Sequence, residues 1–316
     1  MNKQYYFSFI DDVIWVLRDL TRQKPKSIFD NPFFKILKNA HEKYDLKTQL
    51  NLFYRTDYYY GMDEFTLAEV TDAYKEEFKA NSDWLKLGFH SFQEFPDYPH
   101  VNSTYDDIYK LFNTIKNEII RFAGEECFGY GVIPHWLPVS KDGCRALYDS
   151  GAKIVGVTVG KTREFDGDMA SLPYGHAQRL LNFKKPETKL FTRDTKDVAI
   201  ESGICAYNHF DDPALEQNDK VLGYIKDEET GLNLKKLDDN FDLNLFNVEE
   251  LKAELERRKN DELICIGNHE QYFFKDYFAY QPEYEEKIYL MAKTLKEAGR
   301  ECIFIEELVE LGKNKL

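Results

Sequence analysis

Hydrophobic and polar positions along this chain switch repeatedly between a period of two and a period of about 3.6. Tyr5-Tyr6-Phe7-Ser8-Phe9-Ile10 is an apolar run that stops at two adjacent carboxylates, Asp11 and Asp12, the pattern of a buried strand handing its last residues to a turn. Successive side chains of a strand leave on opposite faces, so two neighbouring carboxylates reach one pocket only where the strand is ending. Helical spacing follows over Val13–Leu20 and, after Pro25, over Asn31–Lys43 through Phe34, Ile36, Leu37 and Ala40. Lys47–Arg55 alternates as a second strand. Thr66–Lys79 predicts a helix with Leu67, Val70, Ala73, Tyr74 and Phe78 on one face, and Leu85–Ser91 a third strand that closes on His90.

The rhythm continues with a helix from the cap at Ser103-Thr104 to about Phe122, a strand over Val132–Leu137 ending in His135-Trp136, a helix over Lys141–Asp149 and a β-branched strand over Lys153–Val159. It breaks between Lys161 and Phe246. This polar stretch has glycine turns at Asp166-Gly167-Asp168 and Glu229-Thr230-Gly231 and predicts a hairpin over Val221–Leu237. Helical spacing returns over Asn247–Lys259 and Glu283–Ala298, and strands over Leu263–Ile266, which runs into Asn268-His269-Glu270-Gln271, and Cys302–Ile305. Strands alternating with helices at this spacing predict an α/β fold with parallel pairing. A single domain over residues 1–316 with an insertion at about 161–246 is expected.

Composition changes this picture little. A formal net charge of −14 excludes a nucleic-acid surface, which needs clustered Lys and Arg. Aromatic residues at 15% of the chain suit a ring-bearing ligand as well as a large core. The five cysteines, Cys127, Cys144, Cys205, Cys265 and Cys302, form no CxxC pair and are expected reduced and buried. The N-terminal segment has no basic flank followed by a long apolar core, and no apolar run reaches the length of a membrane span, so a cytoplasmic protein without a membrane partner is expected.

Four strand ends carry chemistry: Asp11 with Asp12, His90, His135 with Trp136, and His269 with Glu270. In a barrel they converge on one mouth. Carboxylates and imidazoles gathered there suit a divalent metal ion with three protein ligands and an open position. Zinc, iron, cobalt, nickel and manganese are not separated by these residue types. His41 sits in a helix with no ligand chemistry at helical spacing and is expected to be structural. His176 and His209 lie in the inserted stretch, as structural residues or as a lid over the mouth.

The ordered segments Phe7-Ser8-Phe9-Ile10-Asp11-Asp12, Gly88-Phe89-His90-Ser91 and Ile266-Gly267-Asn268-His269 resemble the motifs of the polysaccharide deacetylase family. The resemblance implies a distorted (β/α)-barrel, here of about seven parallel strands with an inserted β-containing segment. It also implies a metal-dependent hydrolase that removes acetyl groups from a small carbohydrate or oligosaccharide. Carried over residue by residue, it makes Asp11 the general base, Asp12 and His90 metal ligands, and His269 the general acid. Histidine suits the last role because its ordinary pKa lies near neutrality.

Two departures accompany the resemblance. The family follows its first motif histidine with another four positions on, and here that position is Glu94, a carboxylate that can complete a set with Asp12 and His90. His100 is a lower-ranked competitor in the same loop. The family's arginine-proline motif, which orients the base, has no match, and His135-Trp136-Leu137-Pro138 stands in its place. His135 is therefore a candidate to hold Asp11 or touch the metal, and Trp136 to stack on a sugar ring. Glu270 and Tyr272, in an aromatic and amide-rich segment, are further substrate candidates. Two other functions fit the same chain: a glycoside hydrolase pairing Asp11 or Asp12 with Glu270, and a non-catalytic carbohydrate-binding barrel.

Overall fold

The computed structural model describes residues 3–56, 64–94, 99–100, 103–137, 139–157, 222–237, 241–277 and 279–312. In chain order the strands begin with β1 (Tyr5–Val13), β2 (Thr48–Phe53), β3 (Leu85–Ser91), β4 (Gly131–Val132) and β5 (Ile154–Val157). They continue with β6 (Ile225–Lys226), β7 (Asn233–Lys236), β8 (Phe241–Asp242), β9 (Leu263–Gly267) and β10 (Glu301–Cys302). The helices are α1 (Trp15–Gln23), α2 (Pro32–Tyr44), α3 (Lys75–Ala80), α4 (Tyr105–Phe122), α5 (Lys141–Asp149), α6 (Val248–Arg257), α7 (Tyr284–Glu297) and α8 (Leu308–Leu311).

β1 is the central strand, buried along its whole length. It pairs in parallel with β9 on one side, and on the other with β10 near its start and β2 farther on. β3 extends the sheet beyond β2, and β8 beyond β9. The second sheet runs β4-β5-β7-β6. The two sheets meet where the Gly129 N–H donates to the Leu87 carbonyl at 2.9 Å, beside a parallel bridge between Leu87 and Phe128. Among the described residues every pairing between named strands is parallel except the β6–β7 hairpin, so the fold is the distorted α/β barrel expected from the strand and helix rhythm. Strands covered on both faces are apolar nearly throughout, which is why Phe7, Phe9, Leu50, Leu52, Leu87 and Phe89 are buried.

Local sequence sets the helix starts. Asn31 accepts the Phe33 N–H at 2.9 Å ahead of Pro32 at the first position of α2. Capping boxes pair Thr104 with Asp107 at α4 and Asn247 with Glu250 at α6. The helix expected over Thr66–Lys79 divides. A single 3-10 turn at Leu67–Glu69 ends at Val70, whose ψ of 128° is extended, and α3 starts only at Lys75.

The strand expected over Val132–Leu137 is also shorter, because β4 ends at Val132. Pro134 has no N–H for a ladder, and the chain turns with the Leu137 N–H on the Pro134 carbonyl at 2.8 Å. The hairpin of β6 and β7 is present, but β7 lies beside β5 and belongs to the barrel rather than to an appended segment. Residues 158–221, with His176, His209, Cys205 and the Asp166-Gly167-Asp168 turn, lie outside the described residues. His41 stacks on Trp84 at 4.6 Å and bonds the Leu46 carbonyl, a structural role. Cys127, Cys144, Cys265 and Cys302 are buried. Among the described residues no helix is long and apolar enough to cross a membrane.

Candidate metal centre at the strand ends

The two carboxylates of β1 avoid the alternation of a regular strand through a backbone irregularity. Register with β2 shifts between Ile10 and Val13, and Asp12 adopts a left-handed φ of 63°. A bulge of this kind re-aims side chains at a strand end, and a non-glycine residue there stores strain, as functional sites often do. Asp12 Oδ1 consequently lies 3.1 Å from His90 Nε2 and 3.4 Å from His135 Nδ1. Those two nitrogens are 3.1 Å apart.

The outer nitrogens decide what this triangle is. His90 Nδ1 lies 2.7 Å from the Ile133 carbonyl and His135 Nε2 lies 2.9 Å from the Glu94 carbonyl. A carbonyl only accepts, so each outer nitrogen carries a proton, and in the neutral ring each inner nitrogen presents a lone pair. Two lone pairs and a carboxylate oxygen thus face one another with no donor among them. For metal bonds of about 2.0–2.1 Å the edge of a tetrahedron is roughly 3.3 Å, close to the sides of this triangle. Asp12, His90 and His135, all buried, form the one cluster of potential ligands found among the described residues. The Phe53 ring packs on both imidazoles, at 5.3 and 5.0 Å.

Burial and neighbouring groups act on these side chains in opposite directions. Burial pushes the Asp12 carboxyl up, but His135, His90 and His269 outweigh it and hold it well below the usual carboxylate range. Burial lowers the His135 imidazole, only partly offset by Asp12. Burial pushes Asp11 well above its ordinary value, with His269 and Asn51 pulling it down and Asp12 pushing it further up. Asp11 Oδ1 accepts the Asn51 Nδ2–H at 2.6 Å and lies 3.8 Å from His90 Nδ1.

His269 follows β9, bridged to Asp11. Its Nδ1 bonds Asn244 Oδ1 at 3.0 Å, and its Nε2 stands 4.0 Å from Asp12 Oδ2. Its side chain is 27% exposed, so this imidazole, unlike the buried trio, reaches solvent.

The other sequence candidates fall in different places. Glu94, expected as the third ligand, does not join the triangle. Its Oε2 accepts Gln271 Nε2–H at 3.1 Å, and the same nitrogen donates to Asp12 Oδ2 at 3.0 Å. β3 ends at Ser91, so four residues past His90 the chain has left the strand and the carboxylate approaches from behind Asp12. His135, a candidate to hold Asp11, touch the metal or meet substrate, occupies the third corner. His100 is buried and bonds the His90 carbonyl at 3.3 Å, bracing β3.

Glu270, expected to meet substrate or to act as an acid, is fully buried. Its carboxylate accepts the Ile14, Trp15 and Val16 N–H groups at 2.9, 2.8 and 2.7 Å. It caps α1, whose own N-cap, Ile14, has no side-chain acceptor. Tyr272, 5% exposed, flanks the His269 ring at 6.2 Å and offers little face to a ligand. Trp136 is half-buried beside His135, also at a left-handed φ of 63°. Gln49, Asn51 and Asn244 carry no assignment from the sequence. The first two carried a signal, since polar residues two apart in an apolar strand share one face.

Comparison with solved structures places this geometry on a known scaffold. A 4-alpha-glucanotransferase from Thermococcus litoralis aligns at a TM-score of 0.55 and 11% identity, covering 98% of this chain and 40% of that one. Agd3, a carbohydrate deacetylase, aligns at 0.50 and 10% identity, over 98% and 54%. The chain shares the α/β barrel fold of these proteins. BA3943 from Bacillus anthracis, a CE4 family pseudoenzyme, aligns at 0.45 and 11% identity over 98% and 66%. The chain spans less than two thirds of the length of each of these proteins. No protein-family model matches the chain, and no curated protein does.

Proposed function

We propose that this barrel is a metal-dependent hydrolase that removes an acetyl or similar acyl group from a carbohydrate-like substrate. The observation that carries the reading is the triangle of Asp12 Oδ1, His90 Nε2 and His135 Nδ1, three electron pairs aimed at one point with their outer partners already satisfied. These three residues would hold the ion. A divalent cation held there supplies Lewis acidity toward water and a carbonyl oxygen.

The chain's own groups supply the proton transfers. Asp11, beside the triangle and outside it, accepts a proton from the attacking water. His269, held through Nδ1 by Asn244, donates a proton from Nε2 to the departing oxygen or nitrogen. Trp136 offers its ring to the sugar at the mouth. The buried position of Glu270 argues against the glycoside hydrolase alternative, which needs that carboxyl group to reach substrate.

Metal content and turnover of an acetylated chitin oligomer test the reading together. Wild-type protein should carry one divalent ion per chain and release acetate only when loaded. Protein that binds no divalent ion under any loading condition contradicts it.

A further inference from the structure

The barrel interior behind Asp11 contains a polar chain that the proposed chemistry has not yet used. Asn51 is fully buried and Gln49 2% exposed, both pointing inward from β2. Gln49 Nε2 donates to the Gly131 carbonyl at 2.7 Å and to Asn51 Oδ1 at 2.7 Å. Asn51 Nδ2 then donates to Asp11 Oδ1 at 2.6 Å. The Gly131 carbonyl is an acceptor only, so it fixes which end of the Gln49 amide is nitrogen. That amide in turn fixes Asn51 Oδ1 as an acceptor, which leaves an N–H for Asp11.

The sequence also clears space for this chain. A Cβ at Gly88 would stand 2.6 Å from Gln49 Nε2 and 3.0 Å from Asn51 Oδ1, and one at Gly129 2.3 Å from Gln49 Oε1. β3 and the segment leading into β4 thus lack side chains where the amides lie. Burying two amides in an apolar barrel is costly unless they are bonded to one another and to something that needs them.

We propose that Gln49 and Asn51 are positioning residues that hold the Asp11 carboxylate by one oxygen and leave its other oxygen free toward the reacting water. The inference rests on Asp11 being the general base. Its sharpest form concerns Gln49, which does not touch Asp11. Gln49→Glu is nearly isosteric but cannot donate as a carboxylate. It draws the Asn51 amide nitrogen toward itself and turns a carbonyl oxygen onto Asp11.

The test uses full-length protein loaded with Zn2+ or Co2+ and the ester p-nitrophenyl acetate as probe, with kcat, KM and bound metal measured on the same samples. Gln49→Glu and Asn51→Leu should each lower kcat about 10- to 100-fold, the usual effect of removing an outer partner, and leave KM and bound metal as in wild type. On an Asp11→Asn background, Asn51→Leu should cause no further loss, because its effect runs through Asp11. If Asn51→Leu does not fold, Gln49→Glu still decides, since it changes no volume.

Wild-type kcat in both variants alongside an inactive Asp11→Asn protein overturns the relay and leaves the base in place. An additional loss in the double variant also overturns it, by showing a packing role. An active Asp11→Asn protein, or wild type without metal-dependent turnover of the ester, removes the base and the relay with it.

Discussion

β1 and β9 lie side by side in parallel, and each has two consecutive polar residues at or just past its C-terminal end, yet they are used differently. Past the end of β9 the pair divides where the chain enters a 3-10 turn at Glu270: His269 turns to the mouth of the barrel, and Glu270 turns to the backbone of α1. At β1 the pair does not divide, because the shift in register and the left-handed backbone of Asp12 bring both carboxylates to the ring of His90. Adjacent polar residues at a strand end therefore do not define a site by themselves. The backbone between them does.

The largest expected effects separate the two carboxylates of β1. Asp12→Ala should remove bound metal and turnover together, whereas Asp11→Asn should abolish turnover and keep the ion, because only Asp12 belongs to the triangle. Metal analysis beside acetate release checks this, and loss of metal in both variants would merge the roles assigned here. On β9 the expectation is one of stability. Glu270→Ala leaves three buried N–H groups without an acceptor and should cost about 3 kcal/mol in urea unfolding. Glu270→Gln, which keeps an acceptor, should cost less, and the folded fraction of both should load with metal like wild type.

A smaller effect comes from beside β3: His90 faces the site, and His100, from the loop that follows, bonds the His90 carbonyl. Burial pushes the His100 imidazole down from 6.5 to about 3. The unfolded chain gains a proton there as pH falls below about 6.5 and the folded chain does not until about pH 3. This contribution is thus complete at neutral pH and is lost as the medium is acidified across that interval. Between pH 7 and pH 5 it should amount to about 2 kcal/mol. His100→Gln, which keeps a donor for the His90 carbonyl, should reduce the difference. Equal pH dependence in the two proteins would mean that other groups carry it.

Much of this architecture was legible in the chain. β3 and α5 have the limits that spacing predicted, because apolar periodicity and caps are local. The division of Thr66–Lys79 turned on a capping box that ends its own turn, and β4 was cut short by Pro134. The misplacements in the site have a different origin. A one-letter pattern shows that Glu94 and Glu270 are acids near strand ends, but not which way each carboxylate points once the strand has ended. His135 was visible as a strand-end histidine. Its place in the triangle depends on a turn with Trp136 in the left-handed region, which a tryptophan does not advertise.

The central claim is that His135, and not Glu94, stands with Asp12 and His90 around the ion. Zn2+ bound per chain, measured after dialysis in wild type, His135→Ala and Glu94→Gln, tests it most directly. One ion in wild type and in Glu94→Gln, with none retained in His135→Ala, is the predicted result. An ion kept by His135→Ala and lost from Glu94→Gln would contradict it.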